Sequence, residues 1–242
     1  MGECILSRNN FRKGNPLFMK IELHAHSAGF SVCGKLSLEE LIALYSAKKY
    51  DALVLTNHFN NISKAYYTDN GGRDYLQDYH DWIRRAQKIG ADNHLIVLGG
   101  YELRFDENAN DYLVFGMTEE FTHSCPDLFT MGPAAFGDIA RENGFLFYQA
   151  HPFRNGMTVI DPKYLFGIEV RNTHPNHDSR NDIALAWAEK HSLHKIAGSD
   201  CHRTEHAGTS AIVTDDQIHD MADLVECLKN DRYTIIGEPR KG

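Results

Sequence analysis

No apolar run in this chain approaches the roughly 18 residues that a membrane-spanning helix needs, so a helical membrane anchor is not expected. A basic block is missing too. Lys and Arg number 25 against 33 Asp and Glu, for a net charge of −8, which argues against an extended nucleic-acid surface or an acidic-membrane surface. The five cysteines, Cys4, Cys33, Cys125, Cys201 and Cys227, are odd in number and form no Cys-x-x-Cys pair, so a disulfide framework is not expected. The N-terminus carries Arg8, Arg12 and Lys13 but no apolar signal core, and the expected location is the cytoplasm. Internal repeats and low-complexity segments are also lacking. What remains is a chain of 242 residues, 42% hydrophobic, with no composition break, and this fits a single α/β domain.

Within that frame, histidine and carboxylate stand repeatedly at the ends of apolar, strand-like runs. Met19 to Leu23 leads into His24-Ala25-His26, and in an extended backbone positions i and i+2 face the same side. Leu53 to Asn57 runs into His58, Leu95 to Tyr101 into Glu102, and Phe145 to Ala150 into His151. Ile196 to Ser199 delivers Asp200-Cys201-His202, again a pair two residues apart. Any one of these, among fourteen histidines, is as readily a core or surface histidine bonded to a backbone carbonyl. Together they are harder to place without a cation, because burying several imidazoles and carboxylates side by side is costly. Strands alternating with helices collect their chemistry at strand C-terminal ends, so these seven side chains are expected to converge.

Residues 1–18 read as a polar arm or extension, and 19–242 as the folded domain. Ser37-Leu38-Glu39-Glu40 reads as a capping box opening a helix with Leu38, Leu41, Ile42 and Tyr45 on one face. Further strands are expected over 51–56, 112–117, 165–170 and 195–197, with a long polar stretch around Gly71-Gly72. Helices are expected over about 74–89, 133–142 and 181–191, and a last one is marked by Ile218, Met221, Val225 and Leu228. Tyr75, Tyr79 and Trp82 are read as packing residues, since no basic stripe interleaves them. His191 is read as a helix-end residue.

The ordered set His24-x-His26, Thr56-Asn57-His58, Gly100-Tyr101-Glu102, Ala150-His151-Pro152 and Gly198-Ser199-Asp200-Cys201-His202 resembles the polymerase and histidinol phosphatase (PHP) family of metal-dependent phosphoesterases over about residues 19–237. The resemblance implies a distorted seven-stranded (β/α) barrel, TIM-barrel-like, with two or three divalent ions. It also implies that His24, His26, His58, Glu102, His151, Asp200 and His202 are ligands, with Glu102 bridging two ions. Two positions depart from the family pattern. Cys33-Gly34 stands where an Asp-Gly pair is usual, so Cys33 is either a thiolate ligand or a small buried or free thiol. Where a further histidine is usual the chain reads Asn110-Asp111-Tyr112-Leu113, and Asp111 is either a substitute ligand or a turn residue. Glu169 and Asn172, in Gly167-Ile168-Glu169-Val170-Arg171-Asn172, are candidates to orient the ligands.

The expected reaction is hydrolysis of a small soluble phosphate ester, most simply a phosphomonoester, by hydroxide held on a pair of ions and attacking phosphorus in line. Glu102 and Asp200 are then catalytic through the ions, and Arg154, three residues past His151, is the favoured phosphate clamp. Arg104, Arg171, His174 and Arg203 are further substrate-contact candidates. His174 and His177, beside Pro175 and Asn176, and also His206, equally suit ordinary surface positions. Imidazole and carboxylate ligands suit Zn, Mn or Fe without choosing among them. Two other readings stay open: a metal-dependent hydrolase of an amide or non-phosphate ester, and a non-catalytic, metal-stabilised binding module. Oligomeric state and pathway do not follow from these residues.

Overall fold

A computed structural model describes residues 18–237. The expected arm at 1–18 therefore lies outside the described residues except for Phe18, as does Cys4. In chain order the elements are β1 (Met19–Ala25), α1 (Leu38–Ala47), β2 (Ala52–Leu55), β3 (His58–Phe59), α2 (Asn61–Asp69), α3 (Tyr75–Asp92), β4 (Ile96–Gly99), β5 (Tyr101–Leu103), β6 (Tyr112–Phe115) and α4 (Glu119–Ser124). They continue with α5 (Gly132–Asn143), β7 (Leu146–Gln149), β8 (Gly167–Asn172), α6 (Asn181–His191), β9 (His194–Gly198), β10 (Ser210–Thr214), α7 (Met221–Lys229) and β11 (Thr234–Gly237).

The fold is mixed α/β, as the strand and helix patterns predict. The described residues form eleven strand segments that hydrogen-bond into two sheets, ordered β11-β10-β1-β2-β4 and β3-β5-β6-β7-β8-β9, without a closed hydrogen-bonded barrel. The chain passes between the sheets four times, twice with almost no intervening residues. The chain leaves β2 through Thr56-Asn57 and re-pairs at once as β3, and β4 passes through Gly100 into β5. At Gly100 a Cβ would lie 2.9 Å from Val54 Cγ1, so the break is one that only glycine fits. On the other side, β1 and the end of β9 approach through the parallel bridge Ala25–Cys201, with His26 N donating to Cys201 O at 2.9 Å and Cys201 N to His24 O at 3.3 Å.

Apolar residues fall where the strand and helix periods direct them. Between the sheets lie Ile21, Leu23, Val54, Leu113, Phe115, Leu146, Tyr148, Ile196 and Ile212. Helix α1 covers the outer face of the first sheet with Leu38, Leu41, Ile42 and Tyr45, while Tyr75 and Tyr79 of α3 pack with Phe59, Tyr101 and Phe105 in a second layer. The aromatic residues of α3 are thus packing residues, as expected. Ser37 caps α1 in a reciprocal capping box with Glu40, and His191 sits in the last turn of α6. No helix of the described residues is long and apolar enough to cross a membrane.

Candidate metal centre

The seven expected side chains meet at one end of the strands. His24 and His26 leave β1, Glu102 sits in β5, His58 opens β3, His151 follows β7, and Asp200 and His202 follow β9. His24, His26, Glu102, His151 and Asp200 are buried, and His58 and His202 are partly exposed at the cavity wall. Two of these positions have unusual backbone: His151 has φ of 28° and Asp200 φ of 52°, left-handed conformations that cost a non-glycine residue energy and turn each side chain sharply off its strand. Gly198 permits the closest approach, because a Cβ there would overlap His24 Cβ and lie 2.8 Å from Glu169 Oε1.

Glu102 is at the middle of the cluster, and its two oxygens face different partners. Oε1 lies 3.1 Å from His24 Nε2 and 3.2 Å from His151 Nε2, while Oε2 lies 3.5 Å from His26 Nε2 and touches His58 Nδ1. Asp200 Oδ1 is 3.5 Å from His24 Nε2 and 3.4 Å from His26 Nε2. The rings are oriented from behind. His24 Nδ1 donates to Glu169 Oε1 at 3.0 Å, His26 Nδ1 meets Ser31 Oγ at 3.1 Å, and His202 Nδ1 donates to the Asp200 carbonyl at 3.0 Å. Glu169 Oε2 also accepts from His151 N at 2.9 Å and from Asn172 Nδ2 at 3.0 Å. Glu169 and Asn172 are therefore placed where ligand-orienting residues belong.

His24 Nε2, His26 Nε2, His58 Nδ1, His202 Nε2 and Glu102 Oε2 are buried without a hydrogen-bond partner. Orphaned buried polar atoms are costly, and five of them pointing into one space, on imidazole and carboxylate, are the donor set a divalent cation requires. Four overlapping groups with ligand atoms within 4.8 Å of one another share these residues: His24/His26/Asp200, His24/Glu102/His151, His26/His58/His202 and His58/Glu102/Asp111. The residues fit a centre of more than one ion.

The charge balance follows from the packing. Burial favours the neutral form of Glu102 and Asp200, but the surrounding imidazoles, His58 and His24 above all for Glu102 and His24 for Asp200, hold both carboxyls well below the usual range. Burial likewise opposes charge on His24 and His58, yet Glu169 and Asp200 for the first and Glu102 for both raise them well above the ordinary imidazole value. His26 goes the other way, lowered by burial and by His202. Cys33 Sγ lies 3.2 Å from His58 Nε2, and although burial pushes the thiol up, the neighbouring His202 and His58 imidazoles bring it down to about 6.

A cavity of about 440 Å³ opens onto these groups, and its wall includes Arg104, Arg154, His174 and Arg203. Arg154 is 3.5 Å from Asp111 Oδ2 and 3.7 Å from Asp200 Oδ2. Arg104 makes a bidentate pair with Asp111 at 2.7 and 2.8 Å, so each largely satisfies the other while both stay beside the centre. Arg171 is not brought in. A bulge in β8 between Glu169 and Arg171 breaks the alternation of sides, so Glu169 and Asn172 face the centre while Arg171 turns out and donates to Gly237 O at 2.8 Å. His174 and His206 are buried at 6% and 2% exposure, which overturns the surface reading for both. A second cavity, about 540 Å³, lies beside β4 and α7 and gathers no such set of ligands.

Sequence reasoning passed over the supports beneath the ligands. Glu22 is fully buried and accepts from His24 N at 3.0 Å, Ser199 N at 2.9 Å and Tyr45 Oη at 2.8 Å, tying the His24 strand to the Asp200 turn. Ser31 Oγ and Ser27 N donate to Asn57 Oδ1 at 3.1 and 2.7 Å, fixing the segment behind His26. One signal was present: Glu22 belongs to the same i, i+2 series as His24 and His26.

Comparison with known proteins follows this geometry. Residues 178–233 match the family PHP_C, described as PHP-associated. No curated protein matches the chain. Among solved structures, a two-domain protein from Bacteroides vulgatus ATCC 8482, described as containing a predicted PHP-like metal-dependent phosphoesterase, superposes with a TM-score of 0.58 at 17% identity over 91% of this chain. This chain spans 65% of that protein's length. PsfC from Pseudomonas syringae PB-5123 superposes with a TM-score of 0.59 at 18% identity, covering 86% of this chain and 88% of its own. PfuEndoQ from Pyrococcus furiosus, a lesion-specific endonuclease, gives 0.56 at 14% identity, covering 88% of this chain and 56% of its own. The PHP-associated match is confined to residues 178–233, and the solved structures show that the fold is shared with a PHP-like protein.

Proposed function

We propose that the protein is a metal-dependent phosphoesterase that hydrolyses a small soluble phosphate ester, most simply a phosphomonoester. The observation that carries this reading is the convergence of four orphaned buried imidazole nitrogens on Glu102, whose Oε2 is itself orphaned, in a cavity whose wall includes Arg154, 3.7 Å from Asp200 Oδ2. In this reading His24, His26, His58, Glu102, His151, Asp200 and His202 would hold two or three divalent ions, Zn, Mn or Fe, with the two oxygens of Glu102 facing different groups of imidazoles. Bound ions would supply acidification of water and neutralisation of phosphoryl charge.

The chain's own residues do the rest. Arg154 is 18% exposed and lines the cavity, which suits its guanidinium to bidentate contact with phosphoryl oxygens, and Arg203 adds positive charge at the rim. Arg104 keeps Asp111 charge-balanced beside the centre. Glu169 holds the His24 ring in one tautomer and fixes the His151 backbone, so the acceptor nitrogens are arranged before substrate arrives. A net charge of −8 and a cavity of about 440 Å³ favour a small ester over a long nucleic-acid duplex. We read the strands as a distorted seven-membered barrel, β1, β2–β3, β4–β5, β6, β7, β8 and β9, with the Ala25–Cys201 bridge as its seam. Four unpaired described cysteines suit a reducing cytoplasm.

The test is phosphate release from a panel of small phosphomonoesters by Mn- or Zn-loaded protein, beside His151→Ala and Glu102→Gln. Turnover by the wild type that falls at least about a hundredfold in both variants is the expected result. Metal uptake with no turnover of any phosphate ester would overturn the reading.

A further inference from the structure

The histidines around the cavity divide into two tautomeric classes. His24 and His202 point Nδ1 at oxygens that can only accept, the Glu169 carboxylate and the Asp200 carbonyl, so each neutral ring carries its proton on Nδ1 and presents a bare Nε2. That is the form a metal ligand needs. His174 and His206 are the reverse. His174 Nδ1 accepts the backbone N–H of Asn176 at 3.2 Å, and His206 Nδ1 accepts the backbone N–H of His202 at 3.3 Å. A backbone N–H only donates, so in each neutral ring the proton is on Nε2.

These two rings pack edge to face, 4.5 Å between centroids, and both line the cavity beside His202. A ring nitrogen of each lies within 4.8 Å of one on His202, a grouping that on distance alone could hold an ion. The tautomers oppose it, because an Nε2 that bears a proton has no lone pair to give. Because each Nδ1 is occupied as an acceptor, the ring cannot also be the doubly protonated imidazolium, and the Nε2–H form follows from the hydrogen bonds themselves. His206 Nε2 is 3.9 Å from Glu205 Oε1, outside hydrogen-bond range, and Arg203 lines the same wall.

We propose that His174 and His206 are a pair of Nε2–H donors for an oxyanion of the substrate, placed beside the metal centre, and do not hold a further ion with His202. The proposal rests on the phosphoesterase reading and deepens it by adding two neutral donors to the arginines. Neutral N–H donors bind a phosphoryl or carboxylate oxygen directionally and leave the charge of the site to Arg154 and the ligands.

The experiment uses the full chain loaded with Zn, with inorganic phosphate as the probe. His174→Ala and His206→Ala are expected to keep the wild-type metal content by elemental analysis while the Kd for inorganic phosphate rises about tenfold, roughly the worth of one lost charge-assisted hydrogen bond. His174→Gln and His206→Gln, which restore an N–H near the same point, are expected to recover part of that loss. Long-range 1H–15N spectra of the wild type give a readout that needs no variant to fold, and are expected to show both rings protonated at Nε2. Loss of an ion from either alanine variant, an unchanged phosphate Kd, or protonation at Nδ1 would each overturn the pair. Failure of the parent reading looks different: metal-loaded wild type would turn over no phosphate ester, while phosphate binding still depended on both histidines.

Discussion

Glu169 shows how much of the centre depends on one fully buried residue behind the cavity wall. Its two oxygens accept from His24 Nδ1, His151 N and Asn172 Nδ2, three groups on three different elements. A glutamine keeps the size but replaces one acceptor with an N–H that faces a donor. Glu169→Gln is therefore expected to weaken metal binding about 10- to 100-fold, read by competition with a chromophoric chelator, with the folded state retained in circular dichroism. Affinity equal to wild type would show that the ring of His24 is fixed by other contacts. At this scale the convergence of the seven side chains was legible, because an imidazole or carboxylate closing a strand is a pattern in one dimension. Arg171 was not, since the bulge that turns it away from Glu169's side is a register event between β8 and β9 that the local sequence does not record. His174 was misjudged for a related reason: Pro175 and Asn176 do mark an exposed turn, but the His174 ring is buried beneath it, and His206, in a separate segment after His202, is buried as well.

At the scale of elements, legibility tracked how strongly each segment's own pattern agreed with its state. Helix α1 could be read from its cap. Ser37 Oγ accepts from Glu40 N at 3.2 Å and Glu40 Oε2 accepts from Ser37 N at 2.8 Å. Ser37→Ala is expected to cost about 1 kcal/mol in urea denaturation while leaving metal content unchanged, since the cap lies at the far end of α1 from Tyr45, whose hydroxyl meets Glu22 and Ser199 beneath the centre. A loss of bound metal in that variant would show that the helix start and the ligand strands are coupled. Helices α2 and α4 were not expected. Helix α2, Asn-Ile-Ser-Lys-Ala-Tyr-Tyr-Thr-Asp, buries only Ser63 among its residues and so carries no apolar stripe, its start being fixed instead by Asn60 capping Ser63 N at 2.8 Å. Strands β10 and β11 were likewise passed over, and β11 is mostly half-exposed, paired antiparallel at the sheet edge by β10 alone. Such elements owe their state to tertiary pairing more than to local pattern.

For the molecule as a whole, the centre links stability to both metal and protons. Glu102 and Asp200 have pKa values held down in the fold, so their stabilisation is present above the unfolded carboxylate range near 4 and is lost as pH falls through the folded values. His24, His58 and His202 are raised, so theirs is present below the unfolded value near 6.5 and is lost as pH rises through the folded ones. His26, His174 and His206 are lowered, so they weaken the fold below about 6.5, and Cys33, lowered to about 6, offsets part of the loss at higher pH; metal-free protein is therefore expected to be most stable near neutrality and to lose Tm as pH rises from about 7 to 8.5. Divalent cations need the same imidazoles neutral, and binding releases their protons. The Tm increase produced by a fixed excess of Zn or Mn should accordingly grow over that interval, and a chelator should abolish it. Differential scanning calorimetry at three pH values, with and without metal, checks both slopes. A metal-induced shift that stayed flat or shrank with pH would mean that the raised histidines do not face the ion, and the cluster would then be an ion-pair network holding the two sheets together in place of a metal centre.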